Sequence, residues 1–478
     1  MESLVAALGA GFGDDVSRGA LVDDLGATLS WRMVAHAAAG FAETLRRTTG
    51  PVGVLGTTGV EFLTVMIAAA TTDRPVCALH HDWSETELVA ALADAGIGDV
   101  VTHRGALPSG VRVVRPPVVD VPDAAAADLS ADAVESSDAL FFIGFTSGSS
   151  GRPKPFARRQ SSWTSSFAAA ADLFGVCREV EVVLPGHLQH SHFLFGAMLG
   201  WSQGAPLRVY ERFDPIRLAA DLADVRAGVL YLVPTMITAL HGAGIPPLGR
   251  VRTVVVSGAK LEPHHLAAAA RLFPQARIFE LYGASETSFI TVNRHGPVAE
   301  DPGCVGLPFP GVELDIRPRP DDEPGHGLVY VRSRYLFEGY LEAGALVAGI
   351  PADGFITVGD VGSIRSDGAL SLRGRASNLV ITGGKNVHPE EIEIALSDHP
   401  DLAGSAVVGV PHPYWGEELV ACVVPAPGVG FDAEDVSAFL RPRVAGYKIP
   451  KRWIVVEDLP RTATGKTDRS GVRILAGS

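Results

Sequence analysis

Two textures of apolar and polar positions alternate along the first part of the chain. Short apolar runs such as VGVLG (52–56), FFIGF (141–145) and VLYLVP (229–234) are each followed by a stretch with helical spacing: EFLTVMIAAAT, SSFAAAADLF and TMITALHG. This alternation, from about residue 20 to about residue 300, predicts parallel sheets covered by helices. Beyond it come Gly- and Pro-punctuated strands, among them GLVYVRS and GALSLRGR, which read as a smaller β-rich subdomain. After Arg375 helices and strands mix again: EEIEIALSDHP is amphipathic, SAVVGVP and VACVVP read as strands, and AEDVSAFLRPRV as a helix. The expected fold class is α/β. A large N-terminal domain (1–376), with parallel-rich sheets flanked by helices plus the β-rich subdomain, precedes a small α+β C-terminal domain (377–478). No internal repeat or low-complexity linker is visible.

Composition narrows the partners. The chain has 478 residues, 47% of them hydrophobic, enough to bury more than one core. Its net charge of -14 would repel nucleic acid and anionic lipid, so an anionic ligand must be held by a local site. Cys77, Cys177, Cys304 and Cys422 are far apart and form no CxxC, which fits a reducing cytoplasm rather than a disulfide framework or a thiolate metal site. The start of the chain carries Glu2, Asp14 and Asp15 with no basic segment before an apolar run, and no eighteen consecutive residues are apolar. A soluble, non-exported protein without a membrane span is expected, with monomer and homodimer both open.

The segment TSGSSGRPK (146–154) carries the first chemistry. It follows an apolar strand and runs through Gly148, Ser149, Ser150 and Gly151, residues that let backbone N–H groups and hydroxyls converge on one place. Such a loop suits a polyphosphate, with Arg152 and Lys154 adding charge-assisted bonds. A plain surface loop has the same composition. Neither this loop nor TATGKT near the carboxyl end has the GxxxxGK[ST] pattern, because Pro460 stands five before Gly465 and Arg152 follows Gly151. A Walker-type nucleotide hydrolase is therefore disfavoured.

The loop is followed, in order, by VVVSGAK (254–260), ELYGASET (280–287), ITVGD (356–360), LRGRASNLVITGGKNVHPEEIE (372–393) and LPRTATGKTDR (459–469). With these motifs the chain resembles the adenylate-forming superfamily: acyl- and aryl-CoA synthetases, adenylation domains of peptide synthetases, and luciferases. The likeness runs from GATLSWRMV to the terminal lysine motif.

The resemblance implies a carboxylate attacking the α-phosphorus of ATP, which requires fixed donors and cations to hold two anions together. It implies a phosphate loop at Thr146, Ser147, Gly148, Ser149, Ser150, Gly151 and Lys154, with Thr146, Glu286 and Lys466 as the catalytic set. Glu286 would hold Mg²⁺, which prefers oxygen ligands, and Ser285 would contact the α-phosphate. Tyr282 would lie on one face of adenine, with Gly258 and Ala259 close on the other, and Gly283 would belong to the same ATP/AMP-binding set. Asp360 would bind the ribose hydroxyls, assisted by Arg375. Lys466 would reach the carboxylate and the bridging oxygen. The family hinge, usually Asp or Lys, falls here on Ser377, which has no charge to trade between two poses. Gly383, Gly384 and Lys385 would line the tunnel for a pantetheine thiol.

The acid pocket is expected at HLQHSHFLFG (187–196), VPTM and SFI, with His190, Phe193, Phe195, Val233, Met236 and Phe289 as walls. No acidic residue lies in the first segment to pair with an ammonium, so an apolar or aromatic acid is favoured over an α-amino acid. A metal reading of His187, His190 and His192 would place His190 and His192 on one strand face. No carboxylate or thiol follows nearby, so a polar pocket wall is expected instead. Between Arg441 and Arg473 cations outnumber Glu457, Asp458 and Asp468, which would suit CoA phosphates or an acidic carrier protein acting in trans. The expectation is an AMP-forming acid–thiol ligase using ATP, Mg²⁺ and CoA. The alternatives are a stand-alone adenylation enzyme loading a carrier-protein phosphopantetheine, and a non-catalytic acyl-nucleotide binding protein.

Overall fold

The structure, a computed structural model, describes residues 21–23, 28–81, 83–119, 139–147, 153–225, 228–296, 303–320, 322–382, 385–462 and 466–477. Its apolar runs form strands buried on both faces; Val52–Leu55 and Gly228–Leu232 have no exposed position. That pattern requires cover on either side, and the helices supply it. Helix Gly59–Ala70 starts at a capping box: Glu61 N–H donates to Thr58 Oγ1 (3.2 Å) and Thr58 N–H to Glu61 Oε2 (2.9 Å). Helix Ser191–Ser202 is buried at every position from Phe193 to Ser202.

Two sheets carry the large part of the chain. In the eight-stranded sheet the strands Leu140–Ser147, Val76–Ala78, Val52–Leu55, Asp99–Thr102 and Arg112–Val114 run parallel. Pro153–Arg159 and the hairpin Gly339–Glu342/Ala345–Ala348 extend it antiparallel. The thirteen-stranded sheet is parallel through Leu207–Val209, Glu181–Leu184, Gly228–Leu232, Val251–Val256 and Arg277–Ala284. Apart from the hairpin Gly339–Glu342/Ala345–Ala348, the Gly- and Pro-punctuated strands between residues 304 and 375 form its antiparallel continuation, joined through Ser288–His295. One core cluster takes side chains from both sheets, including Val54 and Phe142 from one and Leu184 and Phe279 from the other.

Residues after Arg375 build a third sheet of five strands. Its long hairpin, Leu402–His412 with Gly416–Pro425, is apolar on both faces. One face packs Val407 and Ala421 on Ile392 and Leu396; the other packs Val408 and Cys422 with Val472 and Ala476. Among the described residues no helix is long and apolar enough to cross a membrane.

Candidate active site

The predicted motifs converge because strands end side by side. Val233 follows Gly228–Leu232, Gly258 and Ala259 follow Val251–Val256, and Tyr282 to Glu286 close Arg277–Ala284, three neighbouring parallel strands. The carboxyl ends of such strands are where open α/β sheets bind ligands. Thr146 and Ser147 end a strand of the other sheet, where Thr146 pairs with Lys154 and Ser147 with Pro153 across an antiparallel hairpin. Lys154 is exposed. Gly148, Ser149, Ser150 and Gly151 lie outside the described residues, as do Gly383 and Gly384.

Local sterics fix the adenine-side segments. Gly258 has φ +96°, a conformation that favours glycine, and a Cβ there would lie 3.5 Å from Val233 Cγ1. A Cβ at Gly283 would lie 1.8 Å from the carbonyl oxygen of Ser288, so the bulge between Tyr282 and Gly283 tolerates no side chain. The loop after Gly258 is held by Glu280, 3% exposed, which accepts from Leu261 N–H (2.6 Å), faces Lys260 (3.4 Å) and pairs with His295 (2.9 Å). Burial pushes the Glu280 pKa up, but the His295 bond, the Lys260 charge and the Leu261 amide together hold it below its ordinary value.

Asp360 and Arg375 stand opposite each other on adjacent antiparallel strands, and Arg375 Nε donates to Asp360 Oδ1 at 3.0 Å. Tyr282 O–H donates to Asp360 Oδ2, joining the predicted adenine wall to the predicted ribose ligand. Burial and then the Asp360 charge raise the Tyr282 pKa well above its usual value, so the hydroxyl remains a donor. Glu286 Oε1 accepts from Tyr340 O–H at 2.6 Å, and the Glu286 carbonyl accepts from Phe337 N–H at 2.8 Å. The chain from Phe337 to Tyr340 thus anchors Glu286 as it enters the strand Gly339–Glu342 of the other sheet.

Lys466 comes from the third-sheet part of the chain and faces this group. Its side chain is exposed, and it stands close enough to Arg375, Asp360 and Glu286 for their charges to act on its ammonium. Partial burial and the Arg375 charge lower its pKa, while Asp360 and Glu286 oppose the shift. Its segment is tied by Thr462 N–H to Lys466 O (2.8 Å), Asp468 N–H to Pro460 O (2.8 Å) and a bridge between Arg461 and Thr467. Ser377 is exposed in a single 3₁₀ turn, Ala376–Asn378. The neighbouring Asn378 Nδ2 donates to Glu390 Oε1 (2.6 Å), and Arg469 lies between Glu390 (3.2 Å) and Glu393 (2.7 Å). Lys385 is exposed with its ammonium 4.3 Å from the Tyr447 ring centroid.

The histidine segment corrects one expectation. His190 and His192 do not share a strand face: His190 is the N-cap of helix Ser191–Ser202 and His192 lies in its first turn. His190 packs against His80 (5.5 Å between ring centroids), and His187 against His81 (4.9 Å). His192 turns away, its Nε2 3.1 Å from the Leu232 carbonyl oxygen and its ring against Tyr231. Burial first, with neighbouring histidines adding to it for His190, lowers both pKa values to about 4, so both rings are neutral at pH 7.

The aromatic walls are already packed. Phe193 is buried against Gly186, and buried Phe195 meets Phe289 edge-on at 4.7 Å, which in turn stacks on Phe309 at 4.7 Å. Val233 and Met236 are half-buried, Val233 on the side of Gly258. Among the described residues one group, Glu262, His264 and His265, brings possible metal-ligand atoms within 4.8 Å of one another. It stands at the positive end of helix Pro263–Leu272 with Arg461 acting on Glu262 and His265, an environment that opposes a cation.

Comparison with known proteins identifies the family. The AMP-binding enzyme family matches residues 14–341, and the AMP-binding enzyme C-terminal domain matches residues 391–466. The chain belongs to the AMP-binding enzymes of the adenylate-forming superfamily. It is 32% identical to an uncharacterized acyl-CoA ligase, YhfT, of Bacillus subtilis (strain 168), over 88% of this chain and 87% of that one. It is 30% identical to a feruloyl-CoA synthase of Amycolatopsis sp., over 92% of each. The crystal structure of ATP-bound MatB from Rhodopseudomonas palustris superposes with a TM-score of 0.86 at 27% identity, covering 99% of this chain and 98% of that one.

For an AMP-binding enzyme several side chains of the site carry no signal in the motifs. Tyr340, Arg158, His80 and His81 reach it only through tertiary contacts; the pair LHH directly after a short apolar strand is the one local hint, for the histidines. The basic stretch from Arg441 to Arg473 is largely committed within the chain. Arg441 pairs with Glu434, Lys448 with Glu391, Arg452 with Glu418 and Arg469 with Glu390 and Glu393, while Arg443 and Lys451 lie over the Phe439 and Trp415 rings.

Proposed function

We propose that this enzyme activates a carboxylic acid with ATP, releasing pyrophosphate and forming an acyl-adenylate, and then transfers the acyl group to the thiol of CoA. The observation that carries the reading is the meeting of Lys466 with the Tyr282–Asp360–Arg375 group and Glu286, four separate segments brought close to one another. Asp360 would take the ribose hydroxyls, Tyr282 one face of adenine and Ser285 the α-phosphate. Lys466 would neutralise charge that builds on the attacking carboxylate and on the bridging oxygen as pyrophosphate departs. The Glu286 carboxylate, oriented by Tyr340, fits a magnesium ion, which when bound would screen the phosphate charge that repels the incoming acid.

The rotation of residues 377–478 about Ser377 after adenylation is part of this reading, with Gly383, Gly384 and Lys385 then lining the thiol path. The Asn378–Glu390 bond supplies the polar contact that Ser377 lacks. An apolar or aromatic acid fits the Phe195–Phe289 wall and the absence of an acid in residues 187–196, and the feruloyl-CoA synthase relative points the same way. The internal pairing of the basic stretch removes its charge-based support for either acceptor, and the CoA-ligase relatives favour CoA. The test is carboxylate-dependent exchange of labelled pyrophosphate into ATP across a panel of acids, followed by thioester analysis with CoA.

A further inference from the structure

We infer that Arg158 is a positioning residue for adenylation, its guanidinium joining the strand after the phosphate loop to the main-chain turn that carries Ser285 and Glu286. Arg158 lies on the strand Pro153–Arg159, four residues beyond Lys154, and is 4% exposed. Its Nη1 donates to the Ser285 carbonyl at 3.0 Å, its Nη2 to the Tyr335 carbonyl, and its Nε to Ser162 Oγ at 3.2 Å. No motif in the sequence predicted a cation inside the protein at this place.

The fork is suited to the task. A guanidinium presents donors in fixed directions, so it can hold two carbonyls from separate connecting segments, the turn at Ser285 and the stretch at Tyr335, at a set separation, which a lysine ammonium or an apolar residue cannot. The two carbonyls bracket the Glu286 support: Phe337 N–H donates to the Glu286 carbonyl and Tyr340 O–H to its carboxylate. Glu338 N–H closes the same stretch back onto Ala157 at 2.9 Å. Arg158 also places a positive charge where it acts on Glu286 and Glu338. Desolvating an arginine is costly, and burial does lower its pKa to about 10, so a charge kept here is compensated by these bonds and carboxylates. A shift of the 285–287 turn relative to Thr146 would separate the groups expected to grip ATP and magnesium, and displacements of about 1 Å are enough to slow such reactions strongly.

This inference rests on the proposed roles of Ser285 and Glu286. The test uses Arg158→Met and Arg158→Lys in the full-length enzyme, with Glu286→Gln as the control. Arg158→Met is expected to slow pyrophosphate exchange about 10- to 100-fold and to raise the Mg²⁺ concentration needed for half-maximal exchange. Arg158→Lys keeps the charge but not the fork and falls between Met and wild type. Consumption of a supplied acyl-adenylate with CoA is retained in both. If Arg158→Met does not fold, the Mg²⁺ requirement of Arg158→Lys decides. Wild-type exchange and Mg²⁺ requirement in a folded variant overturn the proposal, as does equal loss in both half-reactions, which marks a merely structural residue. If Glu286→Gln itself leaves Mg²⁺-dependent exchange intact, the assignment of the site fails first.

Discussion

Replacing Asp360 by asparagine isolates the ribose-binding step. Asp360 is 6% exposed, and its two oxygens are divided between Tyr282 O–H and Arg375 Nε. Asparagine keeps the shape but turns one acceptor into a donor, so one of those two donors loses its partner. Arg375 has 52% of its side-chain area exposed, and water can replace that bond at a cost of about 0–1 kcal/mol. Tyr282 is the more confined partner, and leaving its hydroxyl unpaired costs about 1–3 kcal/mol of stability. With nucleotide bound, the lost charge-assisted bonds to the ribose are worth about 1.5–3 kcal/mol, or roughly 10- to 150-fold in kcat/KM for ATP. The assay is pyrophosphate exchange with ATP and with its 2′- and 3′-deoxy analogues, in wild type and Asp360→Asn. Wild type should discriminate against the deoxy analogues, and the variant should lose most of that discrimination because the interacting partner is gone. A folded Asp360→Asn enzyme that still rejects the deoxy analogues as strongly as wild type would refute the ribose assignment.

Lys466→Ala should slow adenylate formation by about 10²- to 10³-fold while still turning a supplied acyl-adenylate into thioester; equal losses in the two half-reactions would contradict its role. Because burial and Arg375 lower the Lys466 pKa, the ammonium is lost earlier than usual as pH rises. Exchange in wild type should therefore fall along an alkaline limb below the ordinary lysine value of about 10.4, a limb that Lys466→Ala lacks. Gly283→Ala must displace the Ser288 carbonyl, which a Cβ would approach to 1.8 Å, and should weaken ATP binding with a lowered Tm, whereas a Gly283→Ala enzyme with native ATP affinity would show the bulge to be pliable. His190 and His192 have folded pKa values of about 4, depressed chiefly by burial, against about 6.5 in the unfolded chain. The unfolded state binds more protons in that interval, so their contribution is fully present above about pH 6.5 and is lost as pH falls toward 4. The Tm should drop from pH 7.5 to pH 5, and a His190→Gln/His192→Gln double variant should lose part of that slope, as thermal melts across the range would reveal.

The parallel strands and their flanking helices were legible because both-face burial leaves continuous apolar runs, as in Val52–Leu55 and Gly228–Leu232. The helix Ser191–Ser202 was obscured by the same effect. Buried on all sides from Phe193 to Ser202, it has no polar face, and without contrast a 3.6-residue period does not appear. The strands between residues 304 and 375 read as a subdomain of their own because pairing partners distant in sequence leave no local mark; most of them continue the thirteen-stranded sheet, and the hairpin Gly339–Glu342/Ala345–Ala348 extends the other. The site divides in the same way. Tyr282, Glu286, Asp360 and Arg375 sit in short motifs punctuated by glycine, where backbone approach constrains the sequence. Tyr340 and Arg158, which orient Glu286 and its turn, sit in ordinary strand contexts, GYLE and PFARR, and acquire their partners only through folding.

The central claim is tested most directly by labelled pyrophosphate exchange into ATP, measured over aryl, short, medium and long carboxylic acids and followed by thioester analysis with CoA. The account predicts exchange that requires an apolar or aromatic acid, with the same acid recovered as its CoA thioester. Absence of exchange with every acid while ATP still binds would contradict it and favour a protein that holds the nucleotide without turning it over.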